Sequence, residues 1–280
     1  MRKLKILFIN NVPWVGGKSG SENYHGDATY IALPDGTDIL LDAATEVSGP
    51  HIAKKLIDMG VKKIDYFIAS HLHSDHVNGF EAVAEAIPVS NIIFSGYGKD
   101  SISASPVLLD TAEKLNIPIQ ELRQGASINF DDVKLDVFSP AKNAPEAKPE
   151  VDKSRQGELM NNHSLVFRLS YGKFSALFPG DIHLNMEETL VEQNGDALKS
   201  TILKVPHHGN DTSMGKTLLD CVSPKLGVSL GRACNGIIWR KYCAADIPLY
   251  ATYTDGDIIA ETDGSTLNVT CKKGVKEYLL

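Results

Sequence analysis

Ser70-His71-Leu72-His73-Ser74-Asp75-His76 places three imidazoles and a carboxylate within positions 71–76. Just before it, residues 64–69 (Ile-Asp-Tyr-Phe-Ile-Ala) read as a short buried strand. After it, residues 79–87 mix apolar and acidic side chains as an amphipathic helix does, so the cluster lies in a strand-to-helix loop. Loops at the carboxyl ends of strands are where α/β folds concentrate their chemistry. His71 and His73, two apart at the strand end, can point the same way, while Asp75 and His76 follow the turn and can face a second ion. Imidazole and carboxylate are the donors zinc takes in an open catalytic site. A solvated polar loop is the ordinary alternative, but isolated histidines do not usually come at this spacing beside a buried strand.

At 280 residues, 42% hydrophobic and 22% charged, the composition is that of a globular protein with a sizeable core. No break in composition marks a linker, so residues 1–280 read as a single domain. The formal charge of -7, from 28 basic and 35 acidic residues, gives no overall attraction for nucleic acid or an anionic membrane and weighs against a long polyanionic substrate. Met1-Arg2-Lys3-Leu4-Lys5 begins like a signal peptide, yet the apolar run at 6–9 is cut off by Asn10-Asn11. No stretch approaches the length of a membrane span. Cys221, Cys234, Cys243 and Cys271 have no CxxC spacing and read as thiols of a reducing cytoplasm, with a Cys234–Cys243 disulfide left open by their proximity.

Residues 5–10 form an expected first strand, and residues 28–33 and 37–41 a hairpin across Pro34-Asp35-Gly36. The long Gly/Ser/Asn-rich segment 11–26 carries Trp14, Tyr24 and His25 and has the length of a functional loop. Helices are expected at 52–59, 106–115 and 186–192, and strands at 91–94, 133–139, 164–169, 174–178, 202–205 and 225–230. Residues 141–156 lack periodicity and read as a surface excursion. Strands and crossing helices in both halves suggest two sheets packed face to face with helices outside.

Further donors sit at strand ends: His163 in Asn161-Asn162-His163-Ser164, Asp181 in Pro179-Gly180-Asp181, and His207-His208 in Lys204-Val205-Pro206-His207-His208-Gly209. Singly, each is more often a cap, a turn residue or a solvated ring. Together with the first cluster, the pattern His71-x-His73-x-Asp75-His76, Gly180-Asp181 and Pro206-His207-His208-Gly209 resembles the metallo-β-lactamase superfamily along nearly the whole chain. The resemblance implies an α/β fold, a four-layer αββα sandwich with a dinuclear site at one edge of the sheets. More narrowly, His25-Gly26-Asp27-Ala28, Leu33-Pro34-Asp35-Gly36, Asn162-x-Ser164-Leu165-Val166, Leu203-Lys204-Val205 and Tyr253-Thr254-Asp255-Gly256 resemble the hydrolase domain of the bacterial competence DNA-uptake protein (ComEC-type). Teichoic-acid phosphorylcholine esterases share part of this pattern.

Carried over by position, the resemblance implies that His71, His73 and His163 hold one ion, Asp75, His76 and His208 the other, and Asp181 both. Zinc or manganese suits these donors. Asp75 would also orient the nucleophile, and His207 would protonate the leaving group or support the site from behind. Asn162, with its neighbour Asn161, and Arg232 are the candidate substrate contacts, with Lys99 and Arg240 as further cations. In place of an Asn and a His-Pro pair that competence-type domains usually carry after the strand at 225–230, this chain has Gly231-Arg232-Ala233-Cys234-Asn235-Gly236.

The expected function is therefore hydrolysis by a hydroxide held between two metal ions, acting on a phosphodiester in single-stranded DNA or a small molecule such as a phosphorylcholine ester. Carboxylic-ester, lactone and β-lactam hydrolysis use the same metal pair. A metal-dependent sensor without turnover is the alternative from another class.

Overall fold

The computed structural model describes residues 3–11, 26–144 and 153–280. Its strands are β1 (Leu4–Phe8), β2 (Thr29–Ala32), β3 (Asp38–Leu41), β4 (Ile64–Ile68), β5 (Val89–Phe94), β6 (Ile119–Glu121), β7 (Ser127–Phe130), β8 (Val133–Ser139), β9 (Val166–Tyr171), β10 (Phe174–Phe178), β11 (Ile202–Lys204), β12 (Leu226–Ser229), β13 (Leu249–Ala251), β14 (Ile258–Thr262), β15 (Thr266–Cys271) and β16 (Gly274–Leu279). One sheet runs β16-β15-β14-β1-β2-β3-β4-β5-β6 and the other β13-β12-β11-β10-β9-β8-β7.

Alternation along the strands separates the layers. In β1, Leu4, Ile6 and Phe8 face the second sheet, while Leu7 faces outward beneath helices. Facing them across the gap are Val137, Phe167, Leu169, Phe178, Ile202 and Val228. Phe178 joins the two sheets, its ring 5.1 Å from Phe167 and 6.4 Å from Phe8. A fully buried side chain of this size contributes about 1.5–3 kcal/mol.

The outer face of the first sheet is covered by α1 (Gly49–Asp58), α3 (Phe80–Ala86) and α4 (Val107–Leu115), through Ile52, Leu56, Phe80, Val83 and Leu108. That of the second is covered by α6 (Leu184–Asn194), α7 (Lys216–Val222) and α8 (Gly236–Ala244), through Leu190, Leu218, Leu219, Ile238 and Tyr242. The result is the expected αββα sandwich. No helix among the described residues is long and apolar enough to cross a membrane.

Two features depart from the sequence reading. The strands β14, β15 and β16 extend the first sheet, with β14 antiparallel to β1. This chain-end pairing is set by contacts far apart in sequence and leaves no local signal. The excursion read over 141–156 gives way at its end to α5 (Lys153–Asn162); residues 145–152, like the loop residues 12–25 with Trp14, Tyr24 and His25, lie outside the described residues. The cysteines are free, so the Cys234–Cys243 bridge is not formed.

All segments bearing polar side chains of interest end at one edge of the sandwich. The parallel pairing of β3 with β4 places Leu41 beside Ile68, so the residues that follow each strand emerge together. There the backbone of 42–44 is laced to its neighbours: Asp42 N donates to Ile68 O (2.8 Å), Ala43 N to His76 O (2.7 Å) and Ala44 N to Asp27 O (2.8 Å). Gly79, beyond the short helix α2 (Ser74–Val77), packs backbone to backbone against Gly49 of α1, and a Cβ there would overlap the carbonyl oxygen of Ala43. Gly79→Ala is thus expected to cost roughly 3 kcal/mol or more, because the displaced backbone carries these hydrogen bonds. Urea denaturation against wild type measures it, and a loss under 1 kcal/mol would show the loop to be pliable.

Candidate metal centre

Asp75 and His76 lie in α2, reached from β4 through Ser70 and His71; Asp181 follows β10; His207 and His208 follow β11. His207 and His208 take left-handed φ values of 49° and 54°, and Asp42 and Ala44 take 56° and 57°. Non-glycine residues in this region cost of order 1–3 kcal/mol each and persist where surrounding contacts over-determine them.

The fold draws Asp181 Oδ2 to 3.2 Å from His76 Nε2 and 3.0 Å from His208 Nε2, and places Asp75 Oδ2 3.3 Å from His208 Nε2. The far nitrogens of both rings meet carboxylates. His76 Nδ1 donates to Asp42 Oδ2 (2.9 Å) and His208 Nδ1 to Asp27 Oδ1 (2.8 Å). A carboxylate behind each ring holds the tautomer that turns the Nε2 lone pair inward and raises its basicity, the arrangement in which histidine binds metal. Asp27, His76, Asp181 and His208, all buried, offer donor atoms within 4.8 Å of one another. Asp27 is nonetheless occupied from behind, since Oδ2 pairs with Lys204 Nζ at 2.5 Å. Its part is to orient His208.

His71 and His73 form a second donor pair, with His71 Nε2 2.9 Å from His73 Nδ1. Ser70 Oγ donates to Asp42 Oδ2 and lies 3.0 Å from His71 Nδ1, where it accepts that ring's proton and leaves Nε2 with a lone pair. Burial first, then the neighbouring His76, keeps both of these rings below the usual imidazole range.

Charge also calls for cations. Burial by itself would raise the carboxyls of Asp27, Asp75 and Asp181, but the adjoining histidines, joined by Lys204 at Asp27 and Asp181, carry all three below the usual range. Burial pushes Asp42 upward against the pull of His76. Lys204, buried, donates to Gly180 O (3.0 Å) and Asp181 Oδ1 (3.2 Å) and is the only ammonium paired with these carboxylates among the described residues. The remaining negative charge draws protons onto the histidines. Burial opposes them, yet Asp181, Asp42 and Asp75 hold His76 up at about 10, and Asp181 and Asp27 hold His208 well above its ordinary value. A site that collects protons in this way, with four ring nitrogens and two carboxylates turned inward, fits divalent metal.

His207 lies outside this set. Its ring stacks on His183, with centroids 4.8 Å apart and planes at 17°, and Nδ1 is 2.7 Å from Thr212 Oγ1. Burial pushes it down to about 4 despite Asp181. Of the adjacent pair, His208 is the one turned into the cluster.

One expectation is corrected. Among the described residues His163 partners Leu159 and Tyr97, not the cluster: Nδ1 donates to Leu159 O at 2.7 Å, and the ring stacks on Tyr97 at 3.8 Å and 3°. The helix α5 ends just before it and turns it aside. Asn162 engages its amide with the chain, accepting His183 N–H (2.9 Å) and donating to Asn185 Oδ1 (3.2 Å), which ties it to the loop at 183–185. Arg232 is half-buried in the loop after β12, Arg240 is exposed on α8, and Lys99 pairs with Glu121.

Sequence reasoning gave no site role to Asp27, Asp42, Lys204 and His183, and read Asn161 only as a substrate contact. Asp27 stood inside a quoted motif, and Asp42 closes the apolar run Ile39-Leu40-Leu41 as Asp181 closes its own strand; that shared position was the available signal. Lys204 likewise belongs to the motif Leu203-Lys204-Val205, although a lysine inside a buried strand is uncommon and local pattern gives it no role.

Four layers and an edge cluster of histidines and aspartates define a class of metal-binding α/β proteins. The chain belongs to the metallo-beta-lactamase superfamily, whose family model matches residues 23–230. It is 25% identical over 169 residues to ComE operon protein 3 of Bacillus subtilis (strain 168), a match covering 60% of this chain and 20% of that protein. With Competence protein ComA of Neisseria gonorrhoeae it shares 28% identity over 192 residues, 68% of this chain and 23% of the other. The chain thus spans only about a fifth of the length of these curated relatives. Among solved structures, the metallo-beta-lactamase fold protein YhfI from Bacillus subtilis matches with a TM-score of 0.57 over 93% of this chain and 100% of that one, at 10% identity, a likeness of fold alone.

Since Asp181, Asp42 and Asp27 favour the protonated forms of His76 and His208 in the metal-free protein, and both rings must be neutral to bind metal, metal affinity is expected to rise with pH through the range in which they titrate. Calorimetric titration with zinc at pH 7, in buffers of different ionisation heat, is expected to show release of at least about two protons per chain. No release would mean that the rings are already neutral. Asp27→Ala, which removes the carboxylate behind His208, is expected to weaken metal binding about 10–100-fold in competition with a chelator.

Proposed function

We propose that the protein is a dinuclear metal-dependent hydrolase, with zinc or manganese as its metal and a phosphodiester, in single-stranded nucleic acid or a small molecule, as its substrate. The observation that carries this reading is the meeting of Asp181 Oδ2 with both His76 Nε2 and His208 Nε2 beside the separate pair of His71 Nε2 and His73 Nδ1. Asp75, His76 and His208 would hold one ion and His71 and His73 the other, with Asp181 common to both. Ions bound there supply Lewis-acid polarisation and an ionised water near pH 7.

The protein's own groups do the remaining work. Lys204 fastens Asp181 Oδ1, so Oδ2 is the oxygen left to face the cluster. Asp75 points its Oδ2 toward His208 from the opposite loop and is placed to orient the attacking oxygen. A hydroxyl of Thr212 donating to His207 Nδ1 leaves the proton of the neutral ring on Nε2, a hydrogen-bond donor for the departing oxygen. His207 therefore assists the leaving group as a neutral donor, since a ring with a pKa of about 4 carries little imidazolium at pH 7.

The resemblance of its motifs to the competence DNA-uptake hydrolase domain, with which the likeness to two competence proteins agrees, is what favours a phosphodiester over carboxylic ester, lactone or β-lactam. With a net charge of -7, attraction for a phosphate must come from local groups, among which Arg232 is the candidate. The working location we assign is the cytoplasm, in keeping with four free thiols.

Turnover of bis(nitrophenyl) phosphate, an alkyl phosphodiester, a single-stranded oligonucleotide, a nitrophenyl ester, a lactone and a chromogenic β-lactam, each with zinc or manganese, tests the substrate class. Phosphodiester cleavage is expected. Turnover confined to the last three overturns that class, and metal binding without any turnover favours a sensor. His207→Ala should keep its metal and slow the alkyl diester about 10²-fold while sparing the nitrophenyl one; equal slowing of both would remove the leaving-group role.

A further inference from the structure

We infer that the amide oxygen of Asn161 completes the metal position begun by His71 and His73, in place of His163, and that this position fills after the one at Asp75, His76 and His208. The inference rests on the dinuclear reading and assigns it a residue and an order.

Three observations converge on Asn161. The first is the meeting of His71 Nε2 and His73 Nδ1 at 2.9 Å. With the His71 proton given to Ser70 Oγ, His71 turns a lone pair toward its neighbour, an arrangement suited to a shared cation. Two imidazoles and a shared Asp181 leave that cation in need of another protein donor.

The second concerns His163, the residue of the expected type. Its ring is held by the Leu159 carbonyl at Nδ1 and by the face of Tyr97, and neither contact belongs to the cluster.

The third is Asn161 itself. It is 6% exposed, its amide is within hydrogen-bonding reach of the His73 imidazole, and its buried Oδ1 makes no well-formed hydrogen bond among the described residues. The other end of the amide is engaged, with Nδ2 donating to His183 Nε2 at 3.1 Å, and this sets the rotation that leaves oxygen as the free end. The backbone is fixed too: Asn161 O accepts both Ser164 N (3.0 Å) and Ser164 Oγ (2.7 Å), and Ser164 Oγ in turn accepts Asp181 N (3.2 Å). One turn thereby sets Asn161 in register with Asp181. A buried carbonyl oxygen held in place beside a ligand ring without a well-formed hydrogen bond is costly unless something binds it.

The order of filling follows from donor chemistry. The Asp75 position has a carboxylate of its own and two imidazoles backed by Asp42 and Asp27. The His71 position has a neutral amide oxygen instead, a harder and weaker donor for zinc than imidazole and a more even match for manganese. The second ion therefore binds more weakly, and the dinuclear form appears only as free metal rises.

The test is cobalt titration of the metal-free full chain, followed by absorption, with elemental analysis at each plateau. Wild type is expected to bind two ions in two phases, the second at least about tenfold weaker. Asn161→Ala should keep the first phase and lose or weaken the second by tenfold or more. Asn161→Asp, which sets an anionic oxygen at the same place, should strengthen the second phase. His163→Phe, which preserves the stack on Tyr97, should retain both phases. Thermal melts of each variant separate local loss of metal from unfolding. An unchanged second phase in Asn161→Ala, or its loss in His163→Phe, overturns the assignment of Asn161. A wild-type chain that binds at most one ion at any concentration fails the dinuclear reading instead. Substrate turnover enters neither decision.

Discussion

Three carboxylates of this protein are kept ionised at the edge of the sandwich, and one buried ammonium stands against them. Lys204 reaches Asp27, Asp181 and the Gly180 carbonyl at once, tying β11 to the loop after β10 and to the segment ahead of β2. Uncompensated charge in a protein interior is strongly unfavourable, so the edge is stable only with protons or cations among its donors. Whatever protons or cations settle at this edge are therefore coupled to folding. Each proton held by His76 or His208 occupies the place of a ligand bond, which sets the metal-free protein apart from the loaded one in both charge and stability.

The edge is also where the backbone departs from its preferred conformations. Asp42, Ala44, His207 and His208 all have φ near +50°, and Gly26, with φ +65°, lies where a Cβ would overlap the Asp75 carbonyl. These bends let chains from both sheets approach closely enough for one aspartate oxygen to meet two histidines. Rigid strands continuing behind them hold the geometry, through the inner packing of Phe8, Phe167 and Phe178. In this division of labour the apolar core absorbs the strain of the loops.

Much of the arrangement was legible before any coordinates. The strand before Ser70 ends at Ile68, the hairpin across Pro34-Asp35-Gly36 pairs β2 with β3, and β8 runs from Val133 to Ser139 as its alternation indicates. His71, His73, Asp75, His76, Asp181 and His208 converge, because each stands just past a strand that local periodicity reveals. The C-terminal strands were not legible. They complete the first sheet through β14 pairing with β1, and such a register depends on partners some 250 positions away.

By itself, then, the sequence determined the layers and the donors: apolar alternation dictates which strand faces are buried, and polar residues after strand ends must lie at a sheet edge. Only the tertiary structure decided which neighbour does what. Asn161, Asn162 and His163 are adjacent and similarly polar, yet one turns its amide to His73, one braces the loop at 183–185 and one stacks on Tyr97. Likewise His207 and His208 differ by a single position, and opposite directions of their side chains leave one on His183 and the other on Asp181. The physical reason is that local propensity acts on a segment, whereas side-chain direction at a turn depends on a few degrees of backbone rotation set by packing from elsewhere in the chain.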